Sequence, residues 1–181
     1  MAIRFHDSPH FSTPLVVWAL EEIGVTYERI PRAKDDAEPT LDDGDVKFVE
    51  ATAILLHLGE TYGVRRGLFP VHGTPECGQA LSWIVWAQSE GFPPVLQHMR
   101  NDTDAAARAE WERVVSVVDD WLATRPYLAG QGFTFADLAV AMLMSIATQR
   151  AGLRLDAADN VKPWLARCVA RPALRRIVVH A

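Results

Sequence analysis

Three short stretches of this 181-residue chain place hydroxyl or carboxylate groups where a helix or a strand would begin. The first is Ser12-Thr13-Pro14-Leu15, between a short alternating segment and an apolar periodic one. Helix-start N–H groups are unpaired and carry positive partial charge, so they stabilise an anion held against them. A thiolate there has a depressed pKa, and a hydroxyl there can donate a hydrogen bond to it. Pro14 suits the first turn, where its missing N–H costs nothing. The plainer use of Ser12 or Thr13 is as an N-cap. The second stretch is Glu38-Pro39-Thr40-Leu41. Proline restricts Glu38 to extended backbone, and a cis bond would turn the N–H and C=O of Glu38 toward a ligand. A proline also serves simply to open an edge strand. The third is Phe48-Val49-Glu50-Ala51-Thr52-Ala53-Ile54. Its helix start could receive a carboxylate and Glu50 could pair with an ammonium; ordinary capping is the alternative.

Other chemically capable residues carry less. His6 and His10 are four apart but fall in a strand and a loop, with neither cysteine nearby, so no zinc site is expected. His10 and Phe11 flank Ser12 and are candidates to line a pocket. Trp83, Trp86, Phe92 and Met99 lie on a segment that is apolar nearly all round, which reads mainly as core. Asp104, Asp119, Asp120 and Asp156 read as caps and solvated surface.

The elements that must position these groups are legible in the pattern. Ala2 to His6 alternates as a strand does, and Pro14 to Ile23 carries a broad apolar face ended by Gly24. Val25 to Ile30 is β-branched and aromatic, so the first thirty residues read as a βαβ unit with parallel strands. Thr40-Leu41 and Val46 to Phe48 flank Asp42-Asp43-Gly44, a turn signal, and predict a hairpin. A helix over Glu50 to Tyr62 follows. The stretch Gly67 to Pro75 has two glycines, two prolines and no periodicity, and reads as a linker. Everything beyond is helical: Trp111, Val114, Val115, Val118, Trp121 and Leu122 follow one face, and Thr134 to Asp137 has the form of a capping box.

Composition narrows the function classes. With 49% apolar and 23% charged residues the chain is an ordinary globular protein, not a disordered or fibrous one. The net charge of −5 and the lack of any Lys/Arg run give no reason to expect nucleic-acid binding. No apolar run suggests a membrane span. Cys77 and Cys168 stand outside any CxxC pair, and no leader is visible, which leads to the expectation of a cytoplasmic protein with free thiols.

In order and rough spacing, the three junctions resemble the glutathione transferase family. The resemblance continues through Trp18-Ala19-Leu20-Glu21-Glu22-Ile23-Gly24, Thr26-Tyr27-Glu28 and Glu50-Ala51-Thr52-Ala53-Ile54-Leu55. It extends to Tyr127-Leu128-Ala129-Gly130, Phe133 to Ala139 and Ala170-Arg171-Pro172-Ala173-Leu174. It implies an α/β thioredoxin-like domain (βαβ-ββα) at 1–68, a linker at 69–75 and an all-helical domain at 76–181. It further implies glutathione as co-substrate, no metal, an electrophilic or hydrophobic small molecule as second substrate in a detoxification-type conjugation, and a homodimer. The pattern is nearest to bacterial beta-class or serine-bearing members. Ser12 matches the residue that stabilises the thiolate, and Pro39 a cis-proline whose predecessor, Glu38, pairs with glutathione through its backbone. Glu50 and Ala51, with Thr52 beside them, match the pair that receives the γ-glutamyl end, and His10, Phe11 and Trp86 are expected in the second-substrate pocket.

Two departures from the family stand out. Ala51 replaces a serine, and losing one charge-assisted hydrogen bond costs about 1.5–3 kcal/mol, roughly ten- to hundredfold in affinity. The link from Ile30 to Glu38 is too short for the family's usual helix, so Pro31 to Ala37 is expected to be a solvated loop that leaves the pocket open there. Because two departures fall in one site, a ligand-carrying or protein-interaction module without turnover is the rival expectation.

Overall fold

The computed structural model describes residues 3–31 and 38–178. Of the expected loop Pro31 to Ala37, Pro31 instead ends a strand, paired with Asp7, and 32–37 lie outside the described residues. Strand β1 (Ile3–Asp7) buries Ile3 and Phe5 and exposes Arg4 between them, as a period of two requires. Helix α1 (Thr13–Ile23) follows and ends at Gly24, whose φ of 60° and N–H to the Leu20 carbonyl form a left-handed C-cap. Strands β2 (Tyr27–Pro31), β3 (Thr40–Asp43) and β4 (Val46–Val49) complete a four-stranded sheet in the order β2-β1-β3-β4. β1 is parallel to β2 and antiparallel to β3, and β3 is antiparallel to β4.

That connectivity decides where the three junctions go. β1 and β4 run in the same direction with β3 reversed between them. The register aligns His6 with Thr40 and Thr40 with Val49. The end of β1, the start of β3 and the end of β4 therefore meet at one edge of the sheet, bringing Ser12, Glu38-Pro39 and Glu50-Ala51 together.

The hairpin differs from expectation by two residues. Asp42 and Asp43 belong to β3, and the turn is Gly44-Asp45, with Gly44 at a φ of 63°. Partners from other elements make aspartate tolerable in the strand. Asp42 accepts from His6 at 2.8 Å and lies 3.0 Å from the Lys47 ammonium, and these two hold its carboxyl below the usual range. Burial would raise Asp43, but hydrogen bonds from Tyr62 at 2.7 Å and His57 at 2.8 Å outweigh it and lower its pKa.

Helix α2 (Ala51–Leu58) continues through a widened turn at Gly59–Gly63. A Cβ on Gly59 would overlap the ring of Phe69, so glycine there admits the chain that leaves the first domain. Leu68 and Phe69 are buried, and the Leu68 carbonyl accepts from Phe135 N at 2.9 Å, so this connection is part of the core.

Helices α3 (Pro75–Trp86) and α4 (Phe92–Arg100) form one bent rod joined by a widened turn at Ala87–Gly91. Then come α5 (Ala105–Leu122), α6 (Phe135–Gln149), α7 (Val161–Val169) and α8 (Pro172–Val178). α6 is buried nearly all round because α1, α3 and α7 pack on it. The domains are clamped by α1 against α6 and α8, with Arg171 bidentate on Glu22 at 2.7 Å and Arg176 on Glu21 at 2.8 Å. Among the described residues no helix is long and apolar enough to cross a membrane. Both cysteines are free and buried, and burial pushes the Cys168 thiol up, away from reactivity.

Candidate functional site

Ser12 occupies the N-cap position of α1 yet makes no cap bond. An N-cap serine reaches its helix's N–H groups from extended backbone. Here φ and ψ are −83° and −13°, in the helical region, which turns the side chain aside. The Ser12 Oγ lies 2.7 Å from His10 Nδ1 and donates to Glu38 Oε2 at 3.2 Å. His10 Nε2 is 3.6 Å from Glu38 Oε1, which closes a ring of three side chains. Ser12 itself is only 8% exposed.

The ring has a definite chemistry. Ser12 donates its hydrogen to Glu38, and in the tautomer protonated at Nδ1 His10 donates to the Ser12 oxygen. A hydroxyl polarised from behind in this way is a stronger donor toward whatever stands in front of it. The neighbouring hydroxyls are not available for the same task. Thr13 Oγ1 donates to the Ser8 carbonyl at 2.7 Å, and Ser8 Oγ lies 3.4 Å from Thr13 Oγ1, both buried.

The sequence places Ser12, His10 and Glu38 in separate roles, and the structure joins them. His10, expected to line the pocket, touches Ser12 directly. Glu38, expected to contribute backbone, contributes its side chain. The available signal was the His-x-Ser spacing just ahead of a proline.

Pro39 departs from expectation: no cis peptide bond occurs among the described residues, so Glu38–Pro39 is trans. Trans is the lower-energy form by about 0.5–1 kcal/mol, and β3 begins its pairing at Thr40 without a cis bond.

Glu50 is the N-cap of α2, and its Oε2 accepts from Ala53 N at 3.1 Å. An ammonium at Glu50 would therefore share the carboxylate with the helix. Its φ of 73° and ψ of 126° are outside the favoured regions for a side-chain-bearing residue, a strain of about 1–3 kcal/mol that clusters at ligand sites. Ala51 is buried and Thr52 half-buried, and their N–H groups have no partner within the helix.

The aromatic residues divide. The Phe11 ring lies 4.4 Å from that of His10 and 5.5 Å from that of Phe92, so it joins the Ser12 loop to α4. Trp86 does not join this group. It packs on Trp83 at 5.1 Å and lines a groove between α3 and α5 with Trp121 and Arg125, because helix periodicity turns it to that face. His6 is taken by Asp42, and among the described residues no cluster of three metal-ligating side chains occurs.

Comparisons with known proteins agree with this architecture. Residues 80–172 match the family model for the glutathione S-transferase C-terminal domain. Glutathione S-transferase 4 of Zea mays is 29% identical over 203 residues, covering 94% of this chain and 87% of the relative. A glutathione S-transferase of Hyoscyamus muticus is 31% identical over 158 residues, 78% of this chain and 74% of that one. Among solved structures, the theta class glutathione S-transferase of Xanthomonas axonopodis pv. citri, with glutathione bound, superimposes with a TM-score of 0.82 at 25% identity. That match covers 99% of this chain and 98% of the other.

Proposed function

The chain belongs to the glutathione S-transferase family, and from that premise we propose that it binds glutathione at the Ser12 corner and transfers its sulfur to an electrophilic small molecule. The observation that carries this reading is the Ser12 hydroxyl, turned off its own helix and held at 2.7 Å by His10. The starts of α1 and α2 follow strands two positions apart, roughly 10 Å. An extended tripeptide spans about the same distance. Its γ-glutamyl carboxylate would meet the N–H groups of Ala51 and Thr52 while its thiol lies against Ser12.

When sulfur takes the place in front of Ser12, the hydroxyl turns its hydrogen from Glu38 to the thiolate. In its Nδ1-protonated tautomer His10 donates to the same oxygen and strengthens the donor. The thiol proton leaves to solvent. The thiolate forms a bond to the electrophilic carbon, and a leaving anion departs with its electron pair. Proximity supplies the remainder of the rate. Two free buried thiols fit a reducing compartment, so cytoplasmic action is part of the proposal, as is a homodimer, measurable by sedimentation.

Calorimetric titration with glutathione, together with conjugation of a generic aryl halide, tests the reading. Binding with turnover supports it. Binding without turnover identifies a ligand-binding module, the reading favoured by Ala51 and by the Glu50 carboxylate already spent on its cap. No binding at millimolar glutathione removes the assignment.

A further inference from the structure

We propose that the electrophile is an apolar molecule carrying a carboxylate, seated between α6 and α8 with its anion on Arg150. The proposal rests on the transferase reading for the identity of the reaction, and on separate residues for the identity of the ligand. A groove of about 600 Å³ is floored by Met142 and Ile146 of α6 and walled by Leu174 and Ile177 of α8. Pro14 and Arg150 also line it. A second cleft, of about 380 Å³, shares Pro14 and Arg150 and runs to Ser8 and His10. The two hollows thus share residues at the start of α1 and the end of α6, and the second is also lined by the imidazole that touches Ser12. Volumes of this size suit a small organic ligand.

Charge selects the ligand. Arg150 and Arg175 both line the groove, and among the described residues no carboxylate lines it. Neither guanidinium has an ion-pair partner among the described residues, whereas the nearby Arg171 and Arg176 are consumed by Glu22 and Glu21. The carboxylate lining the adjoining cleft, Asp7, is paired with Arg29 at 2.6 Å. In a chain of net charge −5, this hollow has two cations over an apolar floor that no carboxylate among the described residues compensates. An organic cation is repelled there, and an uncharged apolar ligand leaves both guanidinium groups unused. A planar guanidinium matches a carboxylate bidentately. The anion therefore sits at the junction on Arg150, the apolar body fills the groove, and the cleft toward His10 is left for the reacting carbon.

The test compares 4-phenylbutyrate with its uncharged counterpart 4-phenylbutan-1-ol, by calorimetry on the full chain without glutathione. The acid is expected to bind about tenfold more tightly than the alcohol. Arg150→Ala should abolish most of that preference while the alcohol's affinity holds, and Arg150→Lys should keep part of it. Ile146→Glu should weaken both ligands, as a charge placed in the apolar floor would. Equal binding of acid and alcohol to the wild type, or a full preference surviving in Arg150→Ala, overturns the proposal. Glutathione is titrated separately on the same preparations. If the acid preference is found and glutathione fails to bind, the transferase reading falls and Arg150 remains the anchor of an anionic-ligand groove.

Discussion

Two helix starts in this molecule use the same kinds of residue for opposite ends. At the start of α6, Thr134 has extended backbone (φ −130°, ψ 177°), caps Ala136 N, and forms a reciprocal box with Asp137. The Asp137 carboxylate, fully buried, accepts from Thr134 N at 2.9 Å and Thr134 Oγ1 at 3.1 Å, and from Leu128 N and Trp164 Nε1 at 2.9 Å each. Burial raises its pKa, against four donors that favour the charge. Every polar group there is spent on the fold. At the start of α1 the Ser12 backbone is helical, the cap bond is missing, and the hydroxyl lies beside an imidazole and a carboxylate that both seek it. A few tens of degrees in φ and more in ψ separate a hydroxyl bound to its own helix from one turned away from it. A helix start whose hydroxyl is not consumed by its own backbone is the one to examine for chemistry.

The largest effect expected from this contrast is at the staple. Asp137→Ala strands four buried donors and should cost about 3 kcal/mol or more in a denaturant titration, with little bearing on the Ser12 chemistry in whatever folds. A loss below about 1 kcal/mol would mean that the two helix starts are more alike than their hydrogen bonds indicate. Ser12→Ala should do the reverse. Turnover is expected to fall about 10- to 1000-fold, as for loss of an active-site donor, while stability stays within about 1 kcal/mol. An unchanged rate would place the thiolate donor elsewhere.

Glu38→Gln sharpens the account of the Ser12 corner. The carboxylate competes for the Ser12 hydrogen and puts negative charge beside the thiolate, so its neutral analogue should lower the bound thiol's pKa by about one unit. Ultraviolet absorbance of the thiolate across a pH series measures this. A rise instead would show that Glu38 positions Ser12 and does not oppose it. The smallest effect is at the third helix start. Ala51→Ser adds a hydroxyl to the N–H groups of α2 and should strengthen glutathione binding by about 1 kcal/mol, several-fold in a calorimetric titration. No gain would place the γ-glutamyl carboxylate away from α2.

Local pattern alone determined a good part of this protein. The alternation of Ile3 and Phe5, the apolar face of α1 with Gly24 at its end, the α5 stripe from Trp111 to Leu122 and the Thr134–Asp137 box were legible, because each is a relation between residues a few positions apart. The order of the three junctions was legible for the same reason, and with it the architecture. What tertiary structure decided involves partners that are distant in sequence. Asp42 and Asp43 extend a strand because His6, Lys47, His57 and Tyr62 come from four other places to neutralise them. Trp86 lines a groove between α3 and α5 because α5 packs on the helix face that its position in α3 gives it. Glu38 reaches Ser12 across 26 positions only because β3 pairs with β1. Arg150 stands beside Pro14 only because α6 packs along α1. A sequence states which side chains are able to donate, accept or carry charge; which of them are already satisfied depends on the partners that folding delivers, and those left unsatisfied are the ones open to a ligand.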